Sequence, residues 1–256
     1  YAQRIPVNVI ARMLGVPIDM SDQFTEWVRG ALEAGLTNPT LRRENRMQII
    51  NFFVGQINDR RANPRENDLI TDLLALEVDG QPVPEDYVIG VCNLMLVAGV
   101  DTTWSAIGSS LWHLAQHPEH QKQLRDNPDL WPTAIEEFLR AYAPVTMARI
   151  VDRDIEFQGC PMKAGDRVLM TFPAANRDPR QFERPDEVIL DREHNRHVAF
   201  GAGIHRCAGS NLARLELRVA LQTFLERLPE FRLVDPTSVT WAGGQVRGPR
   251  RCLVSF

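Results

Sequence analysis

Phe200-Gly201-Ala202-Gly203-Ile204-His205-Arg206-Cys207-Ala208-Gly209 places three glycines, an aromatic ring, a histidine and a cysteine in ten positions. The apolar run Leu212-Ala213-Arg214-Leu215-Glu216-Leu217 follows. Glycine at this density admits φ > 0 and close backbone approach. The pattern reads as a tight loop delivering Cys207 to the start of a helix with its backbone N–H groups free. A helix N-terminus favours negative charge, which makes Cys207 a candidate thiolate. A thiolate so placed attacks carbon or binds metal. The alternative is a glycine-rich turn around one buried cysteine, and the rest of the chain has to decide between them.

The chain of 256 residues suits one large domain or two small ones, and 44% hydrophobic content is enough for a sizeable core. A formal net charge of −4 argues against nucleic acid as a main partner. No apolar run reads as membrane-spanning and no signal peptide is visible. Cys92, Cys160, Cys207 and Cys252 lie far apart, with no Cys-x-x-Cys pair and no His/Cys cluster at zinc spacing, which speaks against a metal finger. Free thiols fit a reducing compartment, the cytoplasm.

Upstream of the loop the periodicity is helical. Pro6 to Pro17 reads as a short apolar helix stopped by Gly15 and Pro17. Asp19 or Ser21 then caps a helix whose face is Phe24, Trp27, Val28, Ala31 and Leu32. After Asn38-Pro39 a second helix carries Met47, Ile50, Phe53, Val54 and Ile57. It ends near Arg60-Arg61, read as a solvated helix end. A short helix is expected over 68–77. The longest candidate runs from Glu85 to about His117 and contains Ala98-Gly99-Val100-Asp101-Thr102-Thr103. Glycine costs about 1 kcal/mol in a helix, and Thr back-bonding bends it, so a local distortion is expected there. Pro118 opens a helix to about Arg125. In the next one Glu137 and Arg140 share a face and can pair.

Beyond Pro144 the pattern turns β-like at 149–151, 155–157 and 166–170, with turns at Gly159 and Gly165. After Cys207 a helix through Leu225 stops before Pro229. Short strands at 231–233 and 251–254 follow, with a hairpin tip over 243–248.

The Phe-Gly-x-Gly-x-His-x-Cys-x-Gly loop, preceded in order by Ala-Gly-x-Asp-Thr-Thr and Glu-x-x-Arg, resembles the signatures of the cytochrome P450 monooxygenases. The resemblance covers nearly the whole chain. It implies a mainly α fold with small β sheets, one domain over 1–256 lacking the family's N-terminal portion. That portion includes the helix whose tryptophan and arginine hold the heme propionates.

The resemblance also implies heme b (iron protoporphyrin IX), with Cys207 as the metal ligand, its electron donation favouring O–O cleavage. By the same resemblance Phe200 packs beside the ligand, and His205 and Arg149 reach the propionates. Gly201, Gly209, Ala98 and Gly99 lie against the cofactor. Asp101 and Thr102 become the acid–alcohol pair that relays protons. Leu94, Val97, Ala98, Val145, Met147 and Val246 turn toward substrate, under a movable lid formed by the helix that carries Phe24 to Leu32, the helix that carries Met47 to Ile57, and the loop between them. Glu137 and Arg140 form a structural pair beneath the loop. The chain departs from the family after Pro185-Asp186, where Glu187, Val188 and Ile189 replace the usual basic residue, Phe and Asp. The third partner of the pair is then Arg184 or Arg192.

The implied activity is O2-dependent monooxygenation of a small or medium apolar substrate. Electrons come from NAD(P)H through a ferredoxin-type donor and its reductase, with Arg206 and Arg214 in a cationic docking surface. Two alternatives stand beside it: a peroxide-using or isomerising heme-thiolate enzyme, and a non-catalytic helical interaction module.

Overall fold

The apolar stretch after Pro84 becomes the axis of the molecule. The computed structural model describes residues Tyr1–Phe256. Its helices are α1 (Arg4–Met13), α2 (Ser21–Leu32), α3 (Pro39–Ala62), α4 (Leu69–Leu74), α5 (Glu85–Leu114), α6 (Pro118–Asp126), α7 (Trp131–Ala141), α8 (Phe172–Ala175) and α9 (Ser210–Arg227). Five antiparallel two-stranded sheets lie around them. They pair β1 (Glu77–Val78) with β2 (Gln81–Pro82), β3 (Met147–Ile150) with β6 (Arg167–Met170), and β4 (Ile155–Phe157) with β5 (Cys160–Met162). The other two pair β7 (Arg232–Leu233) with β10 (Val254–Ser255), and β8 (Thr240–Ala242) with β9 (Gly248–Arg251). The fold is mainly α with small β sheets.

α5 divides the core in two. Its first half sends Val88, Cys92, Leu96 and Val100 into a cluster with Val7 and Ile10 of α1, Phe24 of α2 and Phe53 and Ile57 of α3. Its second half sends Ile107, Leu111 and Leu114 into another with Ile135 and Phe138 of α7 and Leu217 and Leu221 of α9. By length and composition α5 alone could cross a membrane, contrary to the sequence reading. Here it is a core helix carrying a buried carboxylate, Asp101. It runs unbroken through Ala98–Thr103, so the expected distortion is not seen. Thr102 Oγ1 does back-bond to Ala98 O, at 2.7 Å.

Several local expectations change. Neither Asp19 nor Ser21 caps α2, because a 3-10 turn at Ile18–Met20 runs straight into it, and Ser21 Oγ donates to Ile18 O and Asn8 Oδ1. The inner face of α3 is Ile49, Phe53 and Ile57, with Met47 exposed and Ile50 and Val54 at its edges. Arg60 is not a solvated helix end. It is buried, paired with Asp68 at 3.1 Å, and donates to Gly15 O, where Gly15 turns at φ 63°. That partner makes Asp68 the N-cap of α4, accepting from Thr71 N at 2.9 Å. α4 stops at Leu74, and Glu77 is already in β1.

The histidines bring a larger change. Pro118 prevents α5 from continuing, and α6 starts anew after a bend. His113, His117 and His120 stack there, with rings 4.2 and 5.1 Å from His113. The sequence reading found no His cluster because a bend between two helices has no fixed ligand spacing. Burial, with the two neighbouring rings, pushes His113 down to about 3.

Glu216 of α9 is buried, its Oε2 has no hydrogen-bond partner, and burial pushes its carboxyl up to about 7. A raised carboxyl means the folded chain keeps a proton that the unfolded chain releases. Stability therefore falls as pH rises from about 4.5, the ordinary value, to about 7, and then levels off. Glu216→Gln is expected to stabilise the protein at pH 8 by about 2 kcal/mol after allowance for solvent screening, and by nearly nothing at pH 4. Urea unfolding at the two pH values checks this, and equal effects at both would contradict it.

Candidate functional site

The loop at 200–209 is held from below by α7. Glu137 and Arg140 are both 0% exposed. Arg140 Nε and Nη2 donate to the two Glu137 oxygens at 2.8 Å each, a bidentate pair. The remaining Arg140 donors reach Asn176 O, Pro185 O and Glu187 O at 2.7–2.9 Å. Glu137 also accepts from Arg192 Nε at 2.9 Å, Asn195 Nδ2 at 3.1 Å and Ile189 N at 2.8 Å. Arg192 is thus the third member, while Arg184 turns outward to Glu187. Asn176 completes the clamp, its Oδ1 accepting from Val198 N at 2.8 Å.

One residue earlier, Glu136 holds the two flanks of the loop. It accepts from Arg214 of α9 at 2.6 and 2.8 Å and pairs with His197 at 3.0 Å. Burial pushes this carboxyl up, but the bonds from His197 and Arg214 outweigh it and bring it down to about 2. Arg214 lies over the Phe200 ring, 4.6 Å from its centroid. The bonds to Glu136 hold the Arg214 guanidinium firmly in its charged form. A residue committed this way is not a free docking cation, contrary to the expectation for Arg214.

Within the loop, Gly201 (φ 68°) and Gly203 (φ 65°) bend the backbone so that Cys207 N–H donates to Phe200 O at 2.9 Å. Cys207 precedes α9 by three residues rather than starting it, and its own N–H is not free. Its thiol is exposed and makes no hydrogen bond, and a Cβ on Gly209 would lie 3.9 Å from Sγ. Ile204 is 97% exposed and His205 is exposed beside it.

On α5, Asp101 and Thr102 look different ways. Asp101 is 1% exposed and paired with Arg250 of β9 at 2.8 Å, with Ser105 Oγ at 3.5 Å. Burial pushes its carboxyl up, more than the Arg250 charge pulls it down. Arg250 also donates to Glu33 at 2.9 Å and lies 4.4 Å over the Trp104 ring. Thr102 belongs instead to an exposed stripe with Gly90, Leu94 and Ala98, four residues apart; Leu94 is 63% exposed. Gly99 is not on that stripe. A Cβ there would come within 2.5 Å of Ile10 Cδ1, so the glycine admits α1 against α5.

Val145 and Val246 form a β bridge, flanked by Thr146 N→Gln245 O at 3.0 Å and Arg247 N→Pro144 O at 2.7 Å. Met147 Sδ receives Gln245 Nε2 at 3.9 Å. Three expected pocket residues therefore meet where the β8–β9 hairpin tip crosses the start of β3. Val97 lies apart, in a cleft of about 160 Å³ with Ala31, Leu32, Arg42, Arg46 and Asn93 under the α2–α3 pair. A cleft of about 320 Å³ is lined by Ser109, Trp112, Tyr142, Arg177, Trp241 and Arg247 among others, and holds none of the expected pocket residues. Arg149 is exposed on β3 and donates to Ala148 O. The sequence reading missed Arg250, Glu33, Glu136, His197 and Asn176. Their partners lie 22 to 217 residues away in the chain, and no periodicity reports such a pairing.

Residues 36–238 match the family model for cytochrome P450. The chain belongs to the cytochrome P450 family. It is 36% identical over 256 residues to probable cytochrome P450 127A1 of Sinorhizobium fredii, covering 100% of this chain and 61% of that protein. It is 35% identical to the mycinamicin IV hydroxylase/epoxidase of Micromonospora griseorubida, covering 97% and 64%.

Among solved structures it is similar to the polyketide synthase P450 PksS of Bacillus subtilis, with a TM-score of 0.93 and 34% identity over 100% of this chain and 66% of that one. The LnmA P450 hydroxylase of the leinamycin pathway of Streptomyces atroolivaceus gives 0.88 and 36%, covering 100% and 67%. The chain spans 61%, 60% and 64% of the length of three of its curated relatives.

The family implies heme, and the residues present fit it. Cys207 offers a free soft donor atom, Gly209 leaves the space beside it clear, and Ile204, Leu94 and Ala98 present apolar surface that nothing in this chain covers.

Removing one partner of a buried ion pair leaves a charge with no water. Arg140→Leu in the natural full-length protein is expected to cost about 3–5 kcal/mol in chemical unfolding and to abolish heme retention. Arg192→Ala, at the rim of the same network, should cost less. Heme content and unfolding midpoints read both, and equal losses would contradict the ranking.

Proposed function

We propose that the chain carries the heme-thiolate centre of a monooxygenase that inserts one oxygen atom of O2 into an apolar organic substrate. The observation that carries this reading is the free Cys207 thiol, presented by a loop whose flanks, His197 and Arg214, both bond Glu136 of α7. Bound heme would supply dioxygen activation. Cys207 Sγ would bind its iron, with Phe200, Gly201 and Gly209 shaping the loop around that atom. His205 and Arg149 are exposed hydrogen-bond donors suited to propionates.

Thr102 Oγ1 donates its proton to Ala98 O, which leaves its lone pairs outward to accept a hydrogen bond from water in the groove. Asp101 holds a proton more readily than an ordinary aspartate, and it delivers one only by exchanging Arg250 for that water. Leu94, Val97, Ala98, Val145, Met147 and Val246 supply apolar pocket surface. The relatives named as a mycinamicin IV hydroxylase/epoxidase and as a hydroxylase of the leinamycin biosynthetic pathway support a substrate of natural-product type.

Two electrons come from NAD(P)H through a ferredoxin-type protein and its reductase, docked at Arg206. Four free cysteines agree with a reducing cytoplasm. The proposal takes residues 1–256 as one P450 domain.

The test uses the natural full-length protein. Reduced with carbon monoxide, it should show the red-shifted Soret band of thiolate ligation, and Cys207→Ala should lose it. Retention in that variant would sink the proposal. Thr102→Ala should keep heme and NAD(P)H consumption but release hydrogen peroxide in place of product. Asp101→Asn should slow turnover about 10²–10⁴-fold. A wild-type rate in Asp101→Asn, with full product yield in Thr102→Ala, would reduce this stretch to a packing element.

A further inference from the structure

Three of the chain's six histidines meet at one point outside the P450 chemistry. His113 closes α5, His117 precedes Pro118, and His120 lies in the first turn of α6. One ring nitrogen from each lies within 4.8 Å of the others. His113 is about 18 Å along α5 from Asp101, so the cluster is not part of the proton path.

Each ring is also oriented. His113 Nδ1 is 2.7 Å from Tyr142 Oη and its Nε2 is 2.8 Å from His120 Nδ1. His117 Nδ1 is 2.8 Å from Glu119 Oε1. Facing imidazole nitrogens must share either a proton or a cation. A phenol and a carboxylate behind the rings are the outer partners that fix the tautomer of metal-bound histidines.

We propose that His113, His117 and His120 bind a divalent cation of the zinc class, with water as fourth ligand, clasping the end of α5 to α6. Three imidazoles and one open position suit such an ion. Zinc–nitrogen bonds of about 2.0–2.1 Å in a tetrahedron set the nitrogens about 3.3 Å apart. His113 and His120 then open by about half an ångström. His113 is buried and anchored by Tyr142, while His117 and His120 are partly exposed and can adjust. With the ion on Nε2 of His113, Nδ1–H donates to Tyr142 Oη. Glu119 holds His117 in the same manner.

The natural full-length protein, heme-loaded and stripped with a chelator, is titrated with zinc chloride by calorimetry and followed by thermal melting. One saturable zinc per chain and a raised melting temperature are expected. His117→Ala and His120→Ala should each abolish that binding, and circular dichroism shows whether they remain folded. Tyr142→Phe should weaken it about 10–100-fold. His194→Ala, an exposed control, should leave it unchanged. Absence of saturable binding would overturn the proposal. So would stoichiometric binding that survives both His117→Ala and His120→Ala.

Discussion

The bidentate pair between Glu137 and Arg140 is what the active loop rests on. An i, i+3 pair on a helix surface contributes a few tenths of a kcal/mol. Buried, the same two side chains have to recover their lost hydration, and they do so by satisfying each other and three other chain segments. Net stabilisation from such a pair is small, because desolvation offsets most of the attraction. Its consequence is geometric: with every guanidinium donor committed, Asn176, Pro185 and Glu187 have one place to be, and the irregular segment before Phe200 follows a single path. Glu136 extends the clamp through Arg214 to the first turn of α9, so the two ends of the cysteine loop are fixed from the same helix.

α5 organises the other side. It is apolar almost throughout: its first half buries one face, Val88, Cys92, Leu96 and Val100, and its second half is buried nearly all round because more of the chain packs against it. Where burial widens, the helix carries a carboxylate inward and leaves a threonine on an open stripe. Asp101 tolerates burial because Arg250 crosses to it, with Glu33 and the Trp104 ring completing the arginine's surroundings. This triad joins the α2–α3 connection, the central helix and the last hairpin. A Cβ on Gly244, at the same hairpin's tip, would come within 2.4 Å of Leu36 Cδ1, so the tip closes on the turn between α2 and α3. The turn between α2 and α3 and the Asp101–Arg250 pair are therefore joined through this one hairpin.

Much was legible in the sequence, for physical reasons that differ by element. Helices announced themselves by 3.6-residue periodicity and by Pro and Gly at their ends, and α5, α6, α7 and α9 lie within a few residues of where those signals put them. The cysteine loop was legible because its chemistry needs a run of contiguous residues. Caps and inner faces were less so: Arg60 and the face of α3 depended on what packs against them.

The sequence by itself determined the family, the order of elements and the residue types at the reactive positions, because all of these are local strings. Tertiary structure alone decided that Asp101 turns inward while Thr102 turns out, that Gly99 serves helix packing, and that Arg192 rather than Arg184 completes the Glu137 network. It also decided that Arg214 is bound to Glu136, and that three histidines converge across a helix break. Each of those outcomes turns on which charge or ring arrives from a distant segment. A buried polar group takes the partner that packing brings within about 3 Å, and neither composition nor periodicity carries that distance.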